Sequence, residues 1–356
     1  MVAGVAVISP GIFHTLLIRH DGSVWSTGIT LNGLSKHFVK VMARGATSAA
    51  TGNNFSLVRK QDGTLRAKGQ NSKGQLGDGT KSSKRSFFFV QQIPFSKAVA
   101  TGDYHSMILT EEGRVWVTGW NKYGQLGDGS TDDKTRFFRV ISGGVEAVAV
   151  AAGDVHSVAL KQGGSVWATG RNYNGQLGDG SNVDKSDFVK VMSGGAAYVT
   201  TGGCHSMVIK YDGSLWATGC NQYGQLGDGS RDDMMTYVQV VPSGAKAVAA
   251  GSRHSMLLTQ DGSVWAAGNN QYGQLGNNLA TGTHIFVKVV LDQAKAIAAG
   301  ALHSMLIKQD GRIWATGSNK YGQFGDGSTM SYKLFLPLKG FGCGVGLDSA
   351  MHAYYG

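Results

Sequence analysis

Cysteine is scarce in this chain, at three in 356 residues, too few for the disulfide framework of a small secreted protein. Proline numbers only 4, while glycine reaches 54 without a Gly-x-y period, which excludes collagen. Long apolar runs are missing: nothing approaches the roughly 18 residues of a membrane-spanning helix. The N-terminus, MVAGVAVISPG, lacks the positive start of a secretory leader. At 42% hydrophobic the chain can still bury a full core, so it is not disordered. These absences lead to the expectation of a soluble intracellular protein of a reducing compartment, cytoplasmic or nuclear.

What the chain has is repetition. NQYGQLGDGS at 221–230 recurs as NSKGQLGDGT at 71–80, NKYGQLGDGS at 121–130, NYNGQLGDGS at 172–181, NQYGQLGNNL at 270–279 and NKYGQFGDGS at 319–328. A phosphate-cradling loop is used once or twice in a chain. No Gly-Lys-Ser/Thr follows these glycines, and the Asp–Gly pair does not extend into a calcium ladder. Six copies read as architecture: glycines for positive φ and close packing, Leu as a buried plug, Gln as a backbone partner. A second motif precedes each copy, as in GSRHSMLLTQDGSVWAAG at 251–268. Its histidine position falls at His14, Phe55, His105, His156, His205, His254 and His303. Seven units of about 50 residues result.

Each unit reads as four strands. HSMLLTQ and SVWAAG flank Asp261–Gly262, which suggests a type I′ hairpin. Both are apolar on successive residues, so their sheet is covered on both faces. A third strand is aromatic or β-branched (FVKVV at 286–290), and a fourth is rich in alanine (KAIAAG at 295–300), small enough for a place where sheets converge. The prediction is an all-β fold, a seven-bladed β-propeller of four-stranded antiparallel blades. Short links join antiparallel neighbours, so the expected blade runs FVKVV, Ala, His-Ser, Trp strand. Blade one then lacks its first strand. Tyr332–Leu338 would supply it beside residues 2–8, closing the ring by pairing N- and C-terminal strands. Residues 1–338 would form the propeller and 339–356 a tail.

The frame G-x-x-H-S, D-G-x-V-W, G-x-N-x-Y-G-Q-L-G resembles the regulator of chromosome condensation repeat family over nearly the whole chain. The resemblance implies the same seven-bladed propeller. For function it implies a choice, because the family includes a guanine-nucleotide exchange factor for a small nuclear GTPase, a plant UV-B photoreceptor and adaptor domains. The exchange factor uses an inserted wedge, for which the regular spacing here leaves no room. The photoreceptor's telling tryptophans precede the repeat histidine. Here those positions read IFH, NNF, DYH, DVH, GCH, SRH and ALH.

No Ser-His-Asp or paired-carboxylate constellation departs from the repeat. No histidine has a Cys, Asp or Glu at ligand spacing. Neither catalysis, cofactor nor metal is expected. The histidines read as half-buried partners of the adjoining blade, and Trp25, Trp116, Trp167, Trp216, Trp265 and Trp314 as core packing. Trp120 is off register and a candidate surface contact. Cys204 and Cys220 flank one hairpin and read as neighbouring buried thiols.

Charge singles out one region. The chain holds 33 basic and 23 acidic residues, a net +10. Residues 36–97 contain twelve of the basic residues and only Asp62 and Asp78 as acids, so the whole excess lies around the second unit. That unit departs most from the repeat: Phe55 replaces His, Arg66 replaces Trp, and the preceding link, ITLNGLSKHF at 29–38, has lost GQLGDG. The run is either a solvated face or an anion-seeking one. The second reading makes Arg59, Lys60, Arg66, Lys68, Lys73, Lys81, Lys84 and Arg85 the partner-binding residues. An acidic protein is the first choice of partner, since no aromatic interleaving marks a base-stacking platform. A small GTPase, nucleic acid and anionic lipid are the alternatives. The expected function is a monomeric, non-catalytic scaffold for protein–protein interaction. The alternative is a guanine-nucleotide exchange factor or chromatin-binding regulator.

Overall fold

Alternation of β-branched, aromatic and small residues between glycine turns produces short strands and nothing else. The computed structural model describes residues 5–90, 93, 95–140 and 146–338. Among these there is no helix, and the strands form seven four-stranded antiparallel sheets. Blade one holds β1 (Val5–Pro10), β2 (His14–Arg19), β3 (Val24–Thr30) and β4 (Gly33–Met42). Blade two holds β5 (Ala46–Thr51), β6 (Phe55–Lys60), β7 (Leu65–Gly69) and β8 (Lys84–Phe89). The other five repeat this order: innermost Ala strand, His-Ser strand, Trp strand, outermost aromatic strand. The alanine-rich strands line a central channel of about 380 Å³, where larger side chains would collide.

The second strand of each blade is buried over at least its first four residues, and over its whole length in His105–Thr110. The apolar cores lie between blades. One joins Val158, Leu160, Ala168 and Leu177 to Val199 and Val208 of the next blade. Burying one such Leu or Val contributes about 1.5–3 kcal/mol, so each blade is stabilised by its neighbours.

Two expectations need correction. The ring is not closed by pairing N- and C-terminal strands: Val5–Pro10 pairs within the first sheet and Tyr332–Pro337 within the last. Every blade is contiguous in sequence. The long link leaves the Trp strand, reaches over the next blade and returns to its own sheet. The short link crosses between blades. Three residues separate Met42 from Ala46, and a stretched link of that length spans about 14 Å, roughly the three inter-strand spacings from the outer to the inner edge of a blade. Blade seven meets blade one instead through its loop. Thr27 Oγ1 donates to the Gly322 carbonyl at 2.7 Å, and Gly327 N–H to the Lys36 carbonyl at 2.9 Å. Residues 2–4 and the expected tail at 339–356 lie outside the described residues.

The hairpin turn is not type I′. Thr259 N–H donates to Ser263 O and Gly262 N–H to Thr259 O, and only the glycine has positive φ, at 81°. A type I′ turn needs positive φ at both central residues. The observed turn is the three-residue type I with a bulge, which leaves Asp261 to accept from the Ser263 amide at 3.0 Å.

Candidate partner-binding surface

The GQLGDG loops are seams. Inside each, the asparagine holds the loop: Asn121 Oδ1 accepts from Leu126 N–H at 2.9 Å, and its amide donates to Asp128. Gln125 Oε1 accepts from Tyr123 N–H at 3.0 Å, and Leu126 is fully buried. The loop then latches onto the next blade through backbone bridges Asp78–Arg136, Asp128–Asp187, Asp179–Thr236, Asp228–Ile285, Asn277–Leu334 and Asp326–His37. Ser157 and Thr169 of that blade donate to the Gln125 and Gly124 carbonyls at 2.7 and 2.9 Å. Gly127 has φ of +68°, and a Cβ there would sit 2.5 Å from the Phe188 ring. The motif is architecture.

The histidines complete the seams. His105, His156, His205 and His254 each meet the next blade's serine at 2.9 Å, and His14 meets Ser56 at 2.7 Å. They are fully rather than half buried. Burial lowers their pKa values to about 3 or 4, so they are neutral. His303 faces a blade that carries Thr15, and neither His303 Nε2 nor Thr15 Oγ1 finds a partner among the described residues.

Trp25, Trp116, Trp216, Trp265 and Trp314 pack against the seam cores but stay half-buried, not core, and Trp167 is half-buried too. Lysines lie across several rings: Lys161 over Trp167 at 4.1 Å, Lys210 over Trp216 at 3.8 Å and Lys308 over Trp314 at 4.7 Å. Cys204 and Cys220 are not thiols but a disulfide. His205 pairs with Gly219 at the end of their hairpin, which sets the flanking Cα atoms 5.5 Å apart, within bonding range.

The eight basic residues do not share one face. Arg59 and Lys60 end β6 at the side of the Asp62–Gly63 turn. The Arg59 guanidinium bonds the Ser96 carbonyl, Thr47 and Glu111. Lys60 lies 3.7 Å from Asp62. Arg66, in the tryptophan register, stacks on Phe89. The other five gather at the opposite end of the blade. Lys73 pairs with Asp133 at 3.6 Å, and Lys84 with Asp78 at 3.2 Å. Lys81 and Arg85 are exposed. Lys68 is buried, at 6% exposure, which lowers its pKa.

At that same end lies a feature the sequence reading missed. Trp120 sits edge-on to Tyr104 and Tyr123, at 6.0 and 5.5 Å. Lys73 lies over Trp120 at 5.7 Å, Arg171 over Tyr123 at 5.1 Å and Arg253 over Tyr223 at 4.9 Å. Aromatic–cation interleaving therefore exists, contributed by the tyrosine of N-x-Y-G-Q and by residues beside the repeat histidine. The signal was present in the motif, but its units are about 50 residues apart and only the ring brings them together. The channel opens here too. Asp103 and Asp154 line its mouth, and their pKa values are raised, above all by burial and for Asp103 also by the Asp154 charge.

Models of the regulator of chromosome condensation (RCC1) repeat match residues 97–125, 147–176, 197–225, 245–274 and 294–323, and a second such model matches 112–160 and 212–258. Together they span more than half of the chain. The chain belongs to the regulator of chromosome condensation repeat family. No curated protein sequence matches it. Among solved structures it is similar to Prp20p of Saccharomyces cerevisiae, studied for its binding to Gsp1p and histones. That likeness has TM-score 0.79 and 20% identity, covering 95% of this chain and 87% of that one. It is also similar to human WBSCR16, at TM-score 0.78 and 20% identity, covering 87% and 88%. At such identity these likenesses speak for the propeller alone. The repeat matches begin at residue 97, leaving out the two divergent blades that carry the charge.

Proposed function

We propose that this repeat propeller is a non-catalytic scaffold that binds an acidic protein through the charged end of blade two. The observation that supports the reading is a coincidence of place. The segment holding the whole charge excess is also the one whose preceding seam, among the described residues, lacks the GQLGDG latch. Lys68, Lys73, Lys81, Lys84 and Arg85 converge at that end, beside the aromatic cluster around Trp120. Electrostatic capture of this kind weakens with salt, because exposed charges are screened beyond about 8 Å at physiological ionic strength. The test is affinity capture at about 0.1 and 0.5 M salt, with a Lys81→Glu/Lys84→Glu/Arg85→Glu protein in parallel. Partners held at low salt and lost by the triple variant support the reading; equal capture by both proteins refutes it.

A second reading is an exchange factor or chromatin-binding regulator. It is supported by the structural likeness to Prp20p, a protein studied for binding to Gsp1p and histones. Acceleration of guanine-nucleotide release from a small GTPase by catalytic amounts of the protein would favour it over the scaffold.

A further inference from the structure

The seam between blades one and two combines four departures from the usual seam, and the departures share one chemistry. First, the link from β3 to β4 is a tight turn, so no latch reaches blade two. In the latched seams an N–H at the end of the latch takes a carbonyl of the next outermost strand, as Gly79 takes Thr135 O at 2.8 Å and Gly129 takes Ser186 O at 3.0 Å. The matching carbonyl in blade two is that of Arg85, and here the Asn32 side chain donates to it at 3.1 Å. Second, the seam serine loses its acceptor. Ser106, Ser157, Ser206, Ser255 and Ser304 all donate to a latch glutamine carbonyl. Ser56, among the described residues, has only His14.

Third, the seam threonine becomes a lysine. Thr27, Thr118, Thr169, Thr218 and Thr316 donate to a latch glycine carbonyl; their counterpart in blade two is Lys68. Fourth, the ring on which a latch glycine would lie, Phe87, carries the Lys68 ammonium instead, at 5.1 Å. The latch has gone, and with it the carbonyls it offered. The donors have stayed, and one has become a cation. Among the described residues no carboxylate lies within ion-pairing distance of Lys68. What remains is a cleft of about 10 Å³, room for about one water-sized oxygen atom. Asn54, Ser56 and Lys68 line it, and Lys84 and Arg85 stand at its rim.

The geometry points to an oxyanion pocket between blades one and two that takes one oxygen of a side-chain carboxylate of an acidic protein partner, with the Lys68 ammonium and the Ser56 hydroxyl as its donors. This rests on the proposed function and deepens it: the exposed lysines and Arg85 steer the partner, and the pocket anchors one acidic residue. A carboxylate on a loop fits better than a bulkier phosphoryl group, because the cleft is small and the other seams are filled by carbonyl-bearing loops.

The probe is an N-acetylated, C-amidated hexaglutamate peptide, titrated calorimetrically into the full chain at 50 mM and 300 mM salt. Lys68→Thr restores the residue of five other blades, and Lys68→Met keeps the aliphatic stem. Both should melt as cooperatively as the unaltered protein and bind the peptide at least tenfold more weakly. Lys68→Arg should stay within about threefold, and the distant Lys295→Thr within twofold. If Lys68→Thr and Lys68→Met bind within twofold of the unaltered protein while the Lys81/Lys84/Arg85 triple variant does not bind, the pocket is wrong and the basic end stands. No binding by the unaltered protein at 50 mM salt overturns both.

Discussion

At the scale of single residues, the seam histidines carry a pH dependence whose sign is set by their burial. An unfolded histidine titrates near 6.5. The buried ones titrate at about 3 or 4, so between those values the unfolded chain binds more protons than the folded one. Stability is complete above about pH 6.5 and falls as pH drops toward about 4. Urea denaturation of the whole chain should give midpoints that decline steadily from pH 7 to pH 4.5. His254→Ala leaves Ser304 with one partner fewer and should cost about 1–3 kcal/mol by the same measurement. His303→Ala, which loses no bond at Nε2, should cost less. Asp103 works in the opposite sense. Burial beside Asp154 raises its pKa, so its charged form opposes folding at pH 8 and no penalty remains once it is protonated near pH 4. Asp103→Asn should raise the melting temperature at pH 8 and leave it nearly unchanged at pH 4.

At the scale of the element, the latch explains why glycine recurs where it does. Gly127 is required twice over, by its positive φ and by the Phe188 ring 2.5 Å from any Cβ. Gly33, in the turn that replaces the latch in blade one, also has positive φ, at 98°, but faces open space. Left-handed backbone costs a non-glycine residue about 1–2 kcal/mol, and overpacking adds about 1–3 kcal/mol. Gly127→Ala should therefore lower the unfolding free energy by about 3 kcal/mol and Gly33→Ala by about 1 kcal/mol. Equal effects in chemical denaturation would mean that contact with the neighbouring ring contributes nothing.

At the scale of the whole molecule, each blade is one unbroken stretch of chain and neighbours hold one another through seams. Among the described residues no sheet is shared by the two ends. A circular permutant that begins at Gly194, in the short link after the outermost strand Lys185–Met192, leaves every sheet intact. With its present ends joined by a flexible linker, it should melt within a few degrees of the parent. A permutant cut after Gly180 divides a blade and its latch and should melt far lower. Closure by strand exchange would reverse this order, since the Gly194 cut would then fall inside a blade.

Period, strand type and the alanine-rich inner strand were legible in the sequence because each depends on local spacing and side-chain size. The same holds for the buried Leu and the positive-φ glycines of GQLGDG, and for the localised charge, which is a matter of counting. The blade's phase was not legible. Four strands in cyclic repetition can be divided into blades at any link, and link length misled because a long loop can return to its own sheet. The grouping of the site residues was also out of reach. Arg59 and Lys68 lie nine positions apart in sequence, yet the hairpin sends them to opposite ends of one blade. Trp120, Arg171 and Lys73 lie about 50 residues apart and meet only because the ring brings successive blades together. The loss of a latch in residues 29–38 was visible from the sequence. That the loss leaves Lys68 buried beside Ser56 and, among the described residues, without a carboxylate partner is a property of the seam, and a seam exists only once two blades are packed.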